Sequence, residues 1–223
     1  MSNTKPDAVD TILGITPGAP LDVLRHRRPI TRDNTQSSYL ALFHAEQVED
    51  ASLTERTAVA VFVALLHGNQ AAAVFYSQAL EESDTNPGLA ASLHEAAAAG
   101  AAQGPYGEYR EPGLRSEDRP GLRWTAAPNL AEALGTRLVA ALEHAHLLVF
   151  RPREASPDAL DALVRAGWST TGIVTLSQLV AFLTYQLRVI AGLELLAGDT
   201  AQHEAGAAAS ADVEGAQTVR INA

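Results

Sequence analysis

The clearest pattern of hydrophobic and polar positions lies in the segment 169–197. Its apolar residues follow one another at steps of three and four, which places them along one side of a helix. They are Ile173, Leu176, Val180, Leu183, Leu187, Ile190 and Leu193, and the face is widened by Val174, Leu179, Phe182, Val189 and Leu196. The hydroxyls of Ser169 to Thr171 can cap the helix N-terminus. We therefore predict that this segment is the central, mostly buried helix of an all-helical core.

We do not expect this helix to cross a membrane. Its uncharged run ends at Arg188, short of the roughly 18 to 20 apolar residues that a bilayer requires. Gln178 and Gln186 are the other polar positions on it, and we expect Tyr185 and Trp168 to belong to the core.

Further helices are predicted on both sides of a long irregular segment. Ser52 and Glu55 form a capping-box pattern at the start of one of them, and Gly68 is a residue type that ends helices. The predicted helices run from about 35 to 43, 53 to 66, 71 to 80, 89 to 99, 130 to 150 and 157 to 166. In the last of these, Leu160, Leu163 and Val164 should face the core.

The remaining segments define the predicted domain organisation. Residues 1–34 form an N-terminal arm, 35–197 one helical domain, and 198–223 a disordered tail without apolar periodicity. The Gly- and Pro-rich run 100–128 carries aromatic residues, which favour an ordered wrap over a mobile lid. The basic turn at 25–29 is either a set of ion-pair partners in an acidic protein or an anion-binding patch.

The composition of the chain excludes several classes of partner and of chemistry. The formal charge of −10 argues against nucleic acid and anionic membrane surfaces as main partners. Cysteine is absent, which excludes disulfides, thiolate metal sites and a thiol nucleophile. The N-terminus lacks the apolar run of a signal peptide, so we expect a cytoplasmic protein.

Three stretches carry a resemblance to a known family. They are Leu-Thr-Glu-Arg leading into Ala-Val-Ala-Val-Phe-Val-Ala-Leu-Leu-His-Gly, then Leu-Val-Ala-Ala-Leu-Glu-His-Ala-His-Leu-Leu, and Ala-Leu-Asp-Ala-Leu-Val-Arg-Ala-Gly-Trp-Ser-Thr-Thr-Gly-Ile-Val-Thr-Leu-Ser-Gln-Leu-Val-Ala-Phe-Leu-Thr-Tyr-Gln-Leu-Arg-Val. Together they resemble the carboxymuconolactone decarboxylase and alkylhydroperoxidase (AhpD-like) superfamily, in particular its CMD domain and peroxidase-related proteins. The likeness covers roughly 35–197.

The resemblance implies an AhpD-like helical bundle that assembles into dimers, trimers or hexamers. In the peroxidase branch a Cys-X-X-Cys pair reduces hydroperoxides with help from a Glu and a His. Here the cysteine positions fall on Gly68 and Ala71, or on Asn69 and Ala72, and the His position on Phe75 or Tyr76. We therefore expect the fold without thiol peroxidase activity, and no cofactor.

The decarboxylase branch implies another use of the same region, with an acid or base acting on a small carboxylated or lactone-like molecule. The catalytic candidates are Glu55, His67 and Tyr76, and the substrate-binding candidates are Asn69, Gln70 and Arg188. Glu55 could instead serve only in capping, and His67 could cap the end of its helix.

We expect no metal site. His144 and His146 lie about 200° apart around a helix, so they cannot ligate one metal from it together. Three hypotheses remain open: a cysteine-free enzyme, a non-catalytic partner or structural subunit that associates with a cysteine-bearing relative, and a protein that binds a small molecule.

Overall fold

The computed structural model describes residues 5–46, 48–83 and 86–221, with the side chains of 87 and 199–221 outside the description. These residues form an all-α fold without strands, which confirms the predicted fold class. The helices are α1 (Ala8–Leu13), α2 (Pro20–His26), α3 (Pro29–Phe43), α4 (Leu53–Leu66), α5 (Gln70–Ser83), α6 (Pro87–Ala99), α7 (Pro128–Leu134), α8 (Thr136–Phe150), α9 (Pro157–Arg165) and α10 (Thr170–Ile221), with 3₁₀ turns at Pro112–Glu117 and Pro152–Glu154.

The centre of the core is α4, not the segment 169–197 that the sequence pattern favours. Every residue from Arg56 to Ala64 is buried. The helix packs against α3, α5, α6, α8 and α10. Its side chains between these two residues are small or medium-sized apart from Phe62, so neighbouring helices can surround it.

Both ends of α4 follow from local sequence signals. The Ser52 hydroxyl accepts a hydrogen bond from the Glu55 N–H at 3.2 Å, and the Glu55 carboxylate accepts one from the Ser52 N–H at 2.8 Å. This confirms the predicted capping box. Gly68 adopts φ 67°, and the Asn69 side chain then accepts from the Ala72 N–H at 2.8 Å to start α5.

The single helix predicted from 130 to 150 is wrong. Gly135 has φ 77° and ψ 151°, and it divides the segment into α7 and α8, which are bent by 116°. Leu130 and Leu142 are both buried on their own helices. Because the apolar spacing continues across Gly135, it conceals the change of direction.

The segment between α6 and α7 lies against the body as an ordered wrap, as its aromatic residues predict. Trp124 is buried and its ring centroid lies 5.2 Å from that of Phe62 and 5.7 Å from that of His146. The Tyr106 N–H donates to the Phe150 carbonyl at 2.6 Å. Trp124 thereby fixes the wrap to α4 and α8.

The predicted N-terminal arm contains α1, α2 and the start of α3. The first of these packs on α3, α5 and α10, and its Val9 is buried. Arg25 of the basic turn forms ion pairs with Asp7, at 3.0 Å, and with Asp10. These ion pairs agree with the interpretation of the basic turn as a set of ion-pair partners, as far as Arg25 is concerned. The boundaries of the predicted domains stay predictions.

On α10 the inner apolar stripe is correct and the widened face is partly wrong. The seven residues of the main stripe are buried, and Ser169 caps the helix by accepting from the Gly172 N–H at 3.0 Å. However, Val174, Tyr185 and Leu196 are exposed. The helix extends to Ile221, and the disorder expected after 198 stays a prediction because the side chains of 199–221 lie outside the description.

The short helix α9 also buries less than its sequence predicts. Leu163 is buried, whereas Leu160 and Val164 are 41% and 55% exposed. Since α9 has only nine residues and packs along α8 and α10, a single turn of its apolar face is covered.

One helical segment of the described chain, Thr170–Gly198, has the length and hydropathy of a membrane span. Core helices of proteins without a membrane meet the same criteria. That the segment Thr170–Gly198 does not cross a membrane therefore stays a prediction.

Candidate functional site

Glu55 is part of a structural network at the start of α4. Beyond its capping role, its carboxylate accepts from Arg137 Nε at 2.6 Å. The Arg137 guanidinium also donates to the Asp50 carbonyl at 2.8 Å and lies 4.1 Å from the centre of the Trp168 ring. These contacts join α4, α8 and the start of α10. These contacts give Glu55 a structural role in joining the helices. Its catalytic role is supported by the sequence alone.

His67 lies at the other end of α4, about 18 Å from Glu55 along the helix axis. Its Nδ1–H donates to the Val63 carbonyl at 2.9 Å, which leaves Nε2 as an acceptor. Burial lowers the pKa of His67 below its usual value, and the nearby Arg188 cation lowers it further. The imidazole is therefore neutral at pH 7.

Four of the predicted site residues lie around this end of α4. His67 lies near Arg188 of α10, and Asn69 Nδ2 donates to the Glu194 carboxylate at 3.4 Å. Gln70 is exposed at the first position of α5. The cluster has a neutral base, a cation and a carboxylate, but Arg188 and Glu194 are exposed to solvent.

Tyr76 is closed off from solvent. Its side chain is fully buried and its hydroxyl donates a short hydrogen bond to Gln186 Oε1. Burial raises the pKa of Tyr76 well above its usual value, so the phenol stays protonated. Gln186 is equally buried, and its Nε2 has no hydrogen-bond partner among the described residues. A substrate could reach this pair only if the core opened.

The two histidines of α8 are buried in the core. His146 Nε2 donates to the Gly100 carbonyl at 3.0 Å, and His144 Nε2 donates to the Ser177 hydroxyl at 3.2 Å. Burial lowers the pKa of both imidazoles. Within the described part of the chain, no group of three His, Asp or Glu side chains could hold a metal ion.

A continuous exposed stripe runs along α10, opposite its buried stripe. We call this the outer stripe, and it comprises Thr171, Val174, Gln178, Ala181, Tyr185, Arg188, Gly192 and Leu195. Val174, Tyr185 and Leu195 are 52%, 40% and 72% exposed. Its residues alternate steps of three and four, which is the spacing of a helix–helix contact seam. Arg188 is its one charged member.

A wide groove lies beside the first half of the outer stripe. It has a volume of about 740 Å³ and runs between α3 and α10. Small side chains of α3, Ser38 and Ala41, form one wall together with Ala45, and Thr175 and Phe182 of α10 form the other. Leu42, Glu46, Arg56 and Gln178 also line the groove, so small residues form only part of its walls. Where the walls are small, another helix can approach closely.

Several residues that the structure connects carry no signal in the sequence. Arg137 and Glu194 belong to no motif, because their partners lie 82 and 125 residues away along the chain. Val174 of the outer stripe is visible in the sequence as an apolar position. Its spacing, however, places it with the widened buried face, and only the packing shows that it is exposed.

Comparison with protein-family models returns no match for this chain, and comparison with curated proteins returns none either.

Proposed function

We propose that this chain is a cysteine-free member of the AhpD-like superfamily that acts as a non-catalytic subunit of an oligomer. The proposed contact is the outer stripe of α10, paired with the same stripe of a second copy. Association with a cysteine-bearing relative through this surface is the alternative. Both versions expect a cytoplasmic protein.

The single observation that carries this proposal is that α10 exposes large apolar side chains on the face opposite its buried stripe. The inner stripe packs on α4 and α8, while the outer stripe exposes Val174, Tyr185 and Leu195. A helix that is apolar around most of its circumference is normally covered on both sides. Exposed apolar side chains that recur along one face of a helix are typical of an association site.

The geometry favours a subunit over a cysteine-free enzyme. A concerted acid–base mechanism requires groups within hydrogen-bond reach of one substrate. Glu55 and His67 lie at opposite ends of α4, and Tyr76 is fully buried. The whole sequence lacks a thiol, so peroxide reduction by a cysteine pair has no nucleophile.

Sedimentation of a stripe variant tests the proposal. We expect the wild-type chain to sediment as an oligomer and Ala181→Glu to weaken association by about tenfold or more, because like charges would meet across a symmetric contact. Val74→Glu on α5 is the matched control, since Val74 is also 47% exposed but lies outside the stripe. It should sediment like the wild type.

Three outcomes would contradict the proposal. One is a wild-type monomer at every concentration tested, and another is equal dissociation of the Val74→Glu control. The third is turnover of an alkyl hydroperoxide or hydrogen peroxide by the purified chain with a thiol reductant. Flotation with lipid vesicles in place of self-association would assign the outer stripe to a membrane surface.

A further inference from the structure

A small cavity lies between the N-terminal arm and α10, beside Tyr185 of the outer stripe. It has a volume of about 200 Å³. We call it the arginine pocket, and its principal lining residues are Leu24, Arg28, Arg32, Tyr185, Val189 and Leu193. Helices α2, α3 and α10 each contribute part of the wall, so the folded arm is required to form it.

The floor of the pocket is apolar, and the Thr35 and Tyr185 hydroxyls beside it already use their hydrogen-bond donors within the protein. Leu24, Val189 and Leu193 supply the apolar surface. The Thr35 hydroxyl donates to the Thr31 carbonyl at 2.8 Å and lies 2.9 Å from the Tyr185 hydroxyl, which therefore donates to it. The Thr31 hydroxyl and the guanidinium groups are thus the donors left for a bound molecule, and among the guanidinium groups that of Arg28 has no carboxylate partner within the described part of the chain.

The charges around the pocket are not balanced. Arg25 and Arg32 share the carboxylates of Asp7 and Asp10. Arg28 has no carboxylate within 4 Å among the described residues. The Arg32 terminal nitrogens contact His26 Nε2 at 2.9 Å and the Asp10 carboxylate at 2.7 Å. Its buried Nε has no hydrogen-bond partner in the described part of the chain, with the Asp7 carboxylate at 3.7 Å. Three cations therefore face two anions.

The start of α3 adds to this excess of positive charge. Its N-cap position is Arg28, which provides no side-chain acceptor, and its first turn contains no acidic residue. The N-terminus of a helix carries partial positive charge, so cations there are unfavourable unless an anion is close. A carboxylate in the pocket would offset both the arginines and the helix terminus.

We propose that the arginine pocket binds a small monocarboxylate with a compact apolar body, such as an aromatic acid. The carboxylate lies at Arg28 and Arg32, and the apolar body lies on Leu24, Val189 and Leu193. A volume of about 200 Å³ equals roughly seven liquid waters and accommodates about ten non-hydrogen atoms. This proposal does not rest on the proposed self-association, and the two surfaces share Tyr185.

Fluorine NMR of the full chain with 4-fluorobenzoate tests the proposal. We expect saturable binding with a dissociation constant on the order of 1 mM or below. The neutral amide of the same size, 4-fluorobenzamide, should bind at least about tenfold more weakly, because it lacks the charge that the arginines recognise. Inorganic phosphate should compete poorly, because it has no apolar body.

Point variants distinguish binding of 4-fluorobenzoate in the pocket from binding to the basic surface around it. Arg28→Gln should weaken 4-fluorobenzoate binding about tenfold, and Val189→Phe should weaken it by filling the floor. Arg27→Gln is the matched control, because Arg27 is an exposed neighbour that does not line the pocket. Ala181→Glu should dissociate the oligomer and leave binding intact, so that failure of either proposal can be recognised separately.

The proposal is overturned if 4-fluorobenzoate shows no saturable binding, or if the amide binds equally well. Equal losses in Arg27→Gln and Arg28→Gln would also overturn it, since they would indicate a diffuse basic surface. Phosphate binding as strong as that of 4-fluorobenzoate would reduce the pocket to a simple anion patch.

Discussion

At the level of single residues, the hydrogen bond from Tyr76 to Gln186 bears most directly on the catalytic candidates that the resemblance implies. Both side chains are fully buried, and they are contributed by α5 and α10. The resemblance would place the His of the peroxidase branch at Phe75 or Tyr76, and of these two Tyr76 carries a polar group. Its burial means that the group stabilises the core without meeting solvent.

We predict that Tyr76→Phe destabilises the fold by about 1 to 3 kcal/mol, because Gln186 Oε1 would be left buried without a donor. Urea denaturation gives the change in the free energy of unfolding. Adding Gln186→Leu should recover most of the loss, since both polar partners are then replaced by apolar groups. A loss below about 0.5 kcal/mol for the single variant would mean that water reaches the pair.

At the scale of elements, the sequence predicts those features that depend on neighbouring residues. The capping box of Ser52 and Glu55 and the inner stripe of α10 both follow from local spacing. By contrast, the ion pair of Glu55 with Arg137 joins residues 82 positions apart, which no local pattern reveals. The exposure of Val174 could not be predicted either, because an apolar residue does not indicate which of two faces is covered.

The break at Gly135 leads to a prediction at the same scale. Its φ of 77° with ψ of 151° lies in a region that other residues rarely adopt, while no heavy atom beyond the two adjoining residues lies within 4 Å of the position that a Cβ would take. Gly135→Ala should therefore cost about 1 to 3 kcal/mol through backbone strain alone.

The control is Gly198→Ala in α10, where a Cβ also meets open space but the backbone is helical. It should be neutral or stabilising by up to about 1 kcal/mol. Thermal and urea unfolding of the two variants measure the difference. Equal effects would show that α7 and α8 can rearrange into one continuous helix.

For the whole molecule, the buried histidines link stability to pH. His67 lies at one end of α4, and His144 and His146 lie between α8 and its neighbours. Burial is the largest cause of the lowered pKa in each. These imidazoles are therefore neutral in the folded chain at pH values where the unfolded chain begins to take up protons.

The sign of the pH dependence follows directly. Because each folded-state pKa lies below the unfolded value of 6.5, the histidine contribution to stability is complete above about pH 6.5. It is lost as the pH falls from 6.5 through the lowered values. We predict a decline in the free energy of unfolding over this window, of at most about 1.4 kcal/mol per pH unit for each histidine.

His144→Leu provides the decisive comparison, because His144 Nδ1 is buried without a partner among the described residues and the apolar side chain removes that atom. The decline in the free energy of unfolding between pH 6.5 and 5 should become shallower by the contribution of this one histidine. His94→Leu is the control, since His94 is exposed on α6. If both variants keep the wild-type slope, the acid sensitivity arises from carboxylate pairs such as Asp10 with Arg25, and the core histidines do not contribute.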